Sequence, residues 1–373
     1  VNRRIKLLKT VDSIIGQLAL KLAVACRLSE RKTSTNQKTN KVLVIRPGGI
    51  GDAALLLPAL KVLKKIIPTI QTQILCEPRN AGVFAHSPFV SKIFNYNRLS
   101  DLKKISETEY DCIFDTEQSH FLTGTLVTLL KGHKKIGFAT KGRESAYDVG
   151  VEYHQDEYEA ESFFRLFAAG IENWPGKFRL KPPYFFPTNK EKERIKVLLS
   201  DIKKEIVCIF PGASIIERLW PIDRWSQVAD ELWKMGRQPT IIGGKAEINI
   251  SQKIMDTANS PVINLCGRLS LSETVAIFDR SRLLISTDSG ILHIGAMCNI
   301  LTVSLFGPGI VEKWGPKGGK HRIINKNLEC SPCTKFGTTP PCPGRQKCMN
   351  EITSSNIIDA AIDLLRKSHE TID

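Results

Sequence analysis

Three short stretches carry side chains suited to holding a phosphate, and each follows an apolar run. Ser286-Thr287-Asp288-Ser289-Gly290 closes the run Leu283–Ile285 and leads at once into Ile291–Ala296, which contains His293. A strand ending there and feeding a helix would offer backbone N–H groups, the positive end of a helix dipole and hydroxyl donors to a phosphate or diphosphate. Gly290 would admit the ligand close to the backbone. Asp288 suits an anion poorly and reads as an N-cap or as a group that orients the loop. The stretch "PGASIIERLWP" (211–221) brings Arg218, a fork of donors for phosphate oxygens. "GGKAE" (243–247) adds two glycines for close approach and Glu247 for a ribose hydroxyl. An ordinary capped turn, with His293 as a satisfied core histidine, would explain the first stretch alone; three such loops predict a nucleotide site.

The first half holds a different constellation, Pro47-Gly48-Gly49-Ile50-Gly51-Asp52. It is neither the dinucleotide fingerprint nor a P-loop, since it lacks the glycine spacing of the one and the lysine of the other. Gly48, Gly49 and Gly51 would open room beside Asp52, a carboxylate predicted at the N-cap of a helix and placed to act as a general base. A third group, Cys330, Cys333, Cys342 and Cys348, has the spacing C-x2-C-x8-C-x5-C in a loop rich in Pro and Gly. Four thiolates could close a structural zinc site; an iron–sulfur cluster, disulfides or unliganded thiols are the alternatives. Four ligands would leave no open position for catalysis.

The elements that must position these groups alternate in a regular way. Short β-branched runs at 41–46, 72–77 and 112–115, with a helix after the first, predict a parallel sheet covered on both faces. The rhythm restarts at 205–214 and continues through 239–244, 261–267, 282–290 and 301–308. Three prolines in 181–188 interrupt regular structure between the halves. The expected organisation is therefore an amino-terminal segment 1–40, a first domain 41–187, a second domain 188–350 with the cysteine loop 330–348, and a closing helix 351–373 able to cross back to the first domain.

Composition narrows the partners. The chain has 373 residues, 42% hydrophobic and 24% charged, with a formal charge of +15, which favours a polyanionic partner without choosing one. Leu7, Leu8, Val11, Ile14, Ile15, Leu18 and Leu22 share one helical face beside Arg3, Arg4, Lys6 and Lys9. Asp12, Gln17 and Lys21 break the run too early for a spanning helix. A basic amphipathic helix on an anionic membrane surface is expected, with packing on the protein's own body as the alternative. Residues 28–40 are polar and read as a tether. Cys76, Cys112, Cys208, Cys266 and Cys298 lie in or beside apolar segments and read as buried thiols of a cytosolic protein.

Taken together, "VLVIRPGGIGDAALLLPAL", "PGAS…RLWP" and "STDSGILHIGA…LTVSLFGP…WGP" resemble glycosyltransferase family 9, the lipopolysaccharide heptosyltransferases, over residues 41–368. The resemblance implies an α/β protein of the GT-B fold, two Rossmann-like domains facing each other across a cleft. It implies an acceptor-binding first domain and a second domain for a nucleotide-diphosphate sugar, most often ADP-heptose. Inversion at the anomeric carbon and no cofactor for catalysis are implied too, and the chain contains no D-x-D pair to hold a divalent ion. Asp52 matches the family's general base. Thr287, Asp288, Ser289, Gly290 and His293 match the donor loop, and Glu247 an acidic residue near the adenosine. Arg218 departs from the lysine that family members usually carry there. The implied setting is the cytoplasmic face of the inner membrane, with a lipopolysaccharide core or lipid-linked acceptor. A nucleotide-sugar epimerase or hydrolase on the same fold, and a nucleic-acid-binding protein, are the competing readings; no nucleic-acid module is recognisable, so no nucleic-acid partner is expected.

Overall fold

A computed structural model describes residues 12–27 and 39–370. The chain divides into two compact units between Lys181 and Pro182. In the first unit, strand β1 (Lys41–Arg46) is buried at every position after Lys41, as a strand covered on both faces must be. Helix α1 (Gln17–Arg27) precedes it, and α2 (Ile50–Ile66), β2 (Gln71–Cys76), α3 (Pro78–Phe84), β3 (Lys92–Asn95) and α4 (Leu99–Glu107) follow. Then come β4 (Tyr110–Asp115), α5 (Phe121–Leu129), β5 (Gly132–Phe138), β6 (Val149–Val151) and α6 (Glu159–Ala168). The strands form one parallel sheet in the order β3-β2-β1-β4-β5-β6. The chain reverses its direction of travel across the sheet between β1 and β4, and a crevice opens there at the carboxyl ends of the strands.

The second unit repeats this plan. Helix α7 (Asn189–Leu198) leads into β7 (Glu205–Phe210), α8 (Ile222–Lys234), β8 (Arg237–Ile241), α9 (Ile248–Thr257), β9 (Ile263–Asn264) and α10 (Leu271–Phe278). Strand β10 (Ser281–Thr287), α11 (Gly290–Met297), β11 (Leu301–Leu305), α12 (Val311–Trp314), β12 (His321–Ile324), α13 (Lys347–Asn350) and α14 (Ser354–Glu370) complete it. Its sheet runs β12-β11-β10-β7-β8-β9, all parallel, so the crevice falls between β7 and β10. The face of α14 that carries Ile357, Ala361, Leu364 and Leu365 lies in this unit's own core with Trp220 and Trp225. The closing helix that the sequence allowed to cross back therefore has its apolar side buried in the second unit.

Two caps differ from expectation. Helix α2 begins at Ile50 with Gly49 as its N-cap, and Asp52 stands inside the first turn. Gly48 has φ +83°, a conformation that spares glycine alone from strain, and the turn it makes brings the helix start forward. Helix α11 is capped by Ser289, whose Oγ accepts from the Leu292 N–H, so Asp288 is not the cap.

The amino-terminal segment packs on the first unit through one face and leaves another uncovered. A π-helical turn, Asp12–Gly16, runs into α1. Leu20 and Ala23 are buried, whereas Ile15, Leu18 and Leu22 are exposed. The Asp12 carboxylate accepts the Phe121 and Leu122 N–H groups at 3.0 and 2.8 Å and so satisfies the start of α5 from 109 and 110 residues away. Burial would raise its pKa, but the hydrogen bonds from His120, Leu122 and Phe121 outweigh that and hold it below the ordinary value. Arg3, Arg4, Lys6, Lys9, Leu7, Leu8 and Val11 lie outside the described residues, as does most of the tether. Among the described residues no helix is long and apolar enough to cross a membrane.

Candidate active site

In the second unit the three loops singled out by sequence meet at the crevice between β7 and β10. Thr287 Oγ1 donates to the Gly212 carbonyl, which ties the end of β10 to the loop after β7. Glu247 accepts from the Gly244 N–H at 2.8 Å. Its side chain lies so close to the β7 and β8 loops that a Cβ on Gly212 or Gly243 would come within 2.6 or 2.7 Å of it. These two glycines exist to admit that carboxylate. Burial raises the pKa of Glu247.

Arg218 is held by a short 3-10 turn, Ile216–Arg218, and pairs with Asp288 at 3.2 Å. The two side chains are 16% and 3% exposed, so both charges are largely out of water. Arg218 Nε and Asp288 Oδ2 are buried without a hydrogen-bond partner. An unmet N–H donor of this kind is costly unless a ligand acceptor completes it, while Asp288 Oδ2 is offset by its ion pair with Arg218 Nη1. Asp288 thus has a definite task, holding the guanidinium in place. A Cβ on Gly309 would overlap Asp288 Oδ2, so only glycine at 309 leaves the carboxylate room. His293 is buried on α11 near its start, and Gly290 opens that helix.

The cysteine loop hangs on the same segment. Ser331 Oγ donates to the Gly307 carbonyl, and the Cys333 and Thr334 N–H groups donate to that of Pro308 at 3.1 and 3.0 Å. All ten cysteines are free thiols, with Cys330 and Cys342 exposed and Cys348 buried. Among the described residues no three His, Cys, Asp or Glu side chains gather as a metal ion would require. Burial first, and then the charge on neighbouring thiols of the loop, raises the pKa of Cys333 and of Cys348, and Cys342 Sγ accepts the Gln346 N–H at 3.3 Å.

In the first unit Asp52 faces a buried ionic network at the crevice between β1 and β4. Arg46, the last residue of β1, donates from Nε to the Pro47 carbonyl and from Nη1 to that of Thr116, each at 2.9 Å. Its Nη2 reaches Glu117 at 3.3 Å and lies 3.8 Å from Asp52 Oδ2. Arg143 pairs with Asp115 at 2.7 Å, and Tyr147 donates to the same carboxylate oxygen at 2.8 Å. Glu159 accepts from Tyr153 at 2.8 Å and from Gln118. Burial works against the charge on Arg46, but Asp52, Glu117, Glu159 and Asp115 outweigh it and raise its pKa. Burial likewise pushes Glu117 up, and Arg46, His120 and Arg143 bring it below its ordinary value. Gly49 leaves space for Asp52, because a Cβ there would come within 3.0 Å of Oδ2. Gly48, at φ +83°, makes the turn, and Gly51 lies in the first turn of α2 beside Asp52.

Sequence reasoning missed Arg46, Glu117, Glu159, Gly212 and Gly309. The first two end or follow β1 and β4, and only the strand order shows that these strands are neighbours. Two doubly wound parallel units, one presenting a carboxylate at its crevice and the other glycine loops with an arginine, have the GT-B fold. The profile of glycosyltransferase family 9 (heptosyltransferase) matches residues 98–342, and the chain belongs to that family. It is 25% identical to lipooligosaccharide heptosyltransferase 2 of Campylobacter jejuni over 88% of this chain and 99% of that protein. It is 22% identical to lipopolysaccharide heptosyltransferase 1 of Pseudomonas aeruginosa over 79% and 86% of the two chains. The crystal structure of E. coli ADP-heptose lps heptosyltransferase II superposes with a TM-score of 0.74 at 18% identity, covering 88% of this chain and 99% of that one.

Proposed function

We propose that this glycosyltransferase moves a heptose from ADP-heptose onto a lipopolysaccharide core acceptor, with inversion and without a metal on the diphosphate. The observation that carries the reading is the pair Arg218–Asp288, a buried arginine with an unsatisfied Nε held where the β7 and β10 loops meet. An acceptor hydroxyl oxygen attacks the anomeric carbon from the side opposite the diphosphate, and its proton passes to Asp52. The bond to the diphosphate oxygen breaks with its electron pair, and the charge that develops there is stabilised by Arg218 and the donor loop. Glu247 and His293 line the donor side, with Glu247 set for a ribose hydroxyl. The names of the similar proteins, heptosyltransferases acting on lipopolysaccharide or lipooligosaccharide, support donor and acceptor class alike.

The proposed place of work is the cytoplasmic face of the inner membrane. The exposed Ile15, Leu18 and Leu22 of the amino-terminal segment, with Leu122 and Leu129 exposed on the helix it packs against, support a lipid-facing surface in a strongly basic protein. The four cysteines are proposed to hold a structural zinc, the exposed Cys330 and Cys342 moving in to close it.

A donor screen with purified protein and heptose-deficient core acceptors, read as added mass, tests the function. Asp52→Asn should keep ADP-heptose binding and lose transfer by about 100-fold or more. Undiminished transfer would remove Asp52 from its role, and consumption of donor without acceptor would point to an epimerase or hydrolase.

A further inference from the structure

We infer that Arg46 is the positioning residue of the base: its clamped guanidinium holds the Asp52 carboxylate in its ionised, proton-accepting form inside a pocket otherwise stocked with acids. This rests on Asp52 being the base. Three observations carry it. Arg46 is 2% exposed and has two of its nitrogens fixed by the Pro47 and Thr116 carbonyls and a third directed at Glu117, so the cation cannot swing away. Its Nη2 stands 3.8 Å from Asp52 Oδ2. The Phe163 ring lies 5.8 Å from its guanidinium carbon and closes the remaining side with an apolar, cation-tolerant face.

The surroundings explain why a cation is needed. Glu117 and Asp115 come from the end of β4, and Glu159 and its partner Tyr153 from the start of α6 and the segment before it. From α3, Arg79 reaches the Gly48 turn, where a Cβ would sit 3.3 Å from its Nη2, but Arg79 pairs with Glu77 at 2.7 Å and is half exposed. Arg143 pairs with Asp115 at 2.7 Å and donates to the Glu117 carbonyl from its other terminal nitrogen. His120, the residue before α5, and Arg143 also act on Glu117, and Arg46 is a buried cation that faces both Asp52 and Glu117. Without it, the neighbouring Glu117 and Glu159 carboxylates would disfavour the ionised form of Asp52, the form that accepts the acceptor's proton. An opposite charge at this range lowers a carboxyl pKa by about 1 to 3 units.

The test measures kcat and KM for ADP-heptose and a heptose-deficient core acceptor between pH 4.5 and 9. Removing the cation raises the pKa of the base, so the acid limb of kcat/KM for Arg46→Gln should move up by about 1 unit or more. Arg46→Lys keeps the charge and should leave the limb within a few tenths of a unit of its original place, at a reduced kcat. Donor KM should change less than threefold in both. Glu117→Gln, which frees Arg46 from its other carboxylate, should move the limb down and supplies the answer if Arg46→Gln does not give a cooperative melt. An unmoved limb in Arg46→Gln, or in Glu117→Gln where the former is unfolded, overturns the inference. So does a shift in Arg46→Lys as large as in Arg46→Gln, which would mean shape rather than charge. Failure of the base itself reads differently: Asp52→Asn would then keep its turnover.

Discussion

Replacing Arg218 by alanine separates what the arginine does for the fold from what it does for the donor. At 3.2 Å and an effective dielectric of about 20, the Arg218–Asp288 attraction is roughly 5 kcal/mol before the cost of removing both charges from water. Little of that is screened, since Asp288 is 3% exposed. Deleting the arginine leaves a buried carboxylate alone, which costs about 3 to 5 kcal/mol. For a unit of this size each kcal/mol lowers the melting temperature by about 2 to 4 °C, so a fall of roughly 6 °C or more is expected. The lost phosphate contact is a charge-assisted hydrogen bond of about 1.5 to 3 kcal/mol, a roughly 10- to 150-fold weaker Kd for ADP. Adding Asp288→Asn to Arg218→Ala removes the stranded charge. The double variant should regain at least about 1 kcal/mol of stability while its ADP affinity stays low. Calorimetric titration with ADP and thermal melts of the wild type, Arg218→Ala, Asp288→Asn and the double variant decide the matter. Wild-type ADP affinity in Arg218→Ala would refute the phosphate contact, and a double variant no more stable than the single would refute the pairing.

Other expectations follow from the same geometry. Gly309→Ala should displace the Asp288 carboxylate, costing about 1 to 3 kcal/mol and weakening ADP binding, and an unchanged melt together with full ADP affinity would count against the tight fit. Asp12→Ala should cost about 1 kcal/mol through the lost α5 cap. Because the folded Asp12 carboxyl lies below its ordinary value, that difference should be complete above about pH 4 and vanish as pH falls through the folded value. A wild-type-minus-variant difference that grows towards acid would reverse the sign and sink the assignment. Protein purified under reducing conditions should carry one zinc per chain and lose it in Cys330→Ser or Cys342→Ser; metal-free protein with its full melting temperature would dispose of the site.

The central strands were legible because a strand covered on both faces needs an apolar stretch along its middle, as in Val42–Ile45 of β1, Ile206–Phe210 of β7 and Leu283–Ile285 of β10. Four strands were not. Strand β5 carries His133, Lys134 and Lys135 in its seven residues, and the buried Lys135 ammonium donates to the Thr128 carbonyl. Strands β3, β6 and β12 are three or four residues long and lie at sheet edges, where a weaker apolar pattern suffices. The donor loops could be found because each joins a strand end to glycine and a polar group in one local stretch. Arg46 and Glu117 could not, since their meeting depends on β1 and β4 being neighbours across 71 residues of chain.

The two units show how one topology is stocked for opposite tasks. Both have the same strand order, hence the same crevice at the carboxyl ends of the two strands where the winding reverses. In the first unit that crevice is filled with four carboxylates, Asp52, Asp115, Glu117 and Glu159, against the two buried guanidinium groups of Arg46 and Arg143. An excess of negative charge repels a diphosphate and suits a proton acceptor. In the second unit Thr287, Gly212, Gly243 and Gly309 bring backbone together, and Arg218 retains an unsatisfied donor. A crevice of that kind accepts negative charge instead. Exchanging the signs, for example by Arg218→Glu, should abolish ADP binding while leaving Asp52 and its network intact.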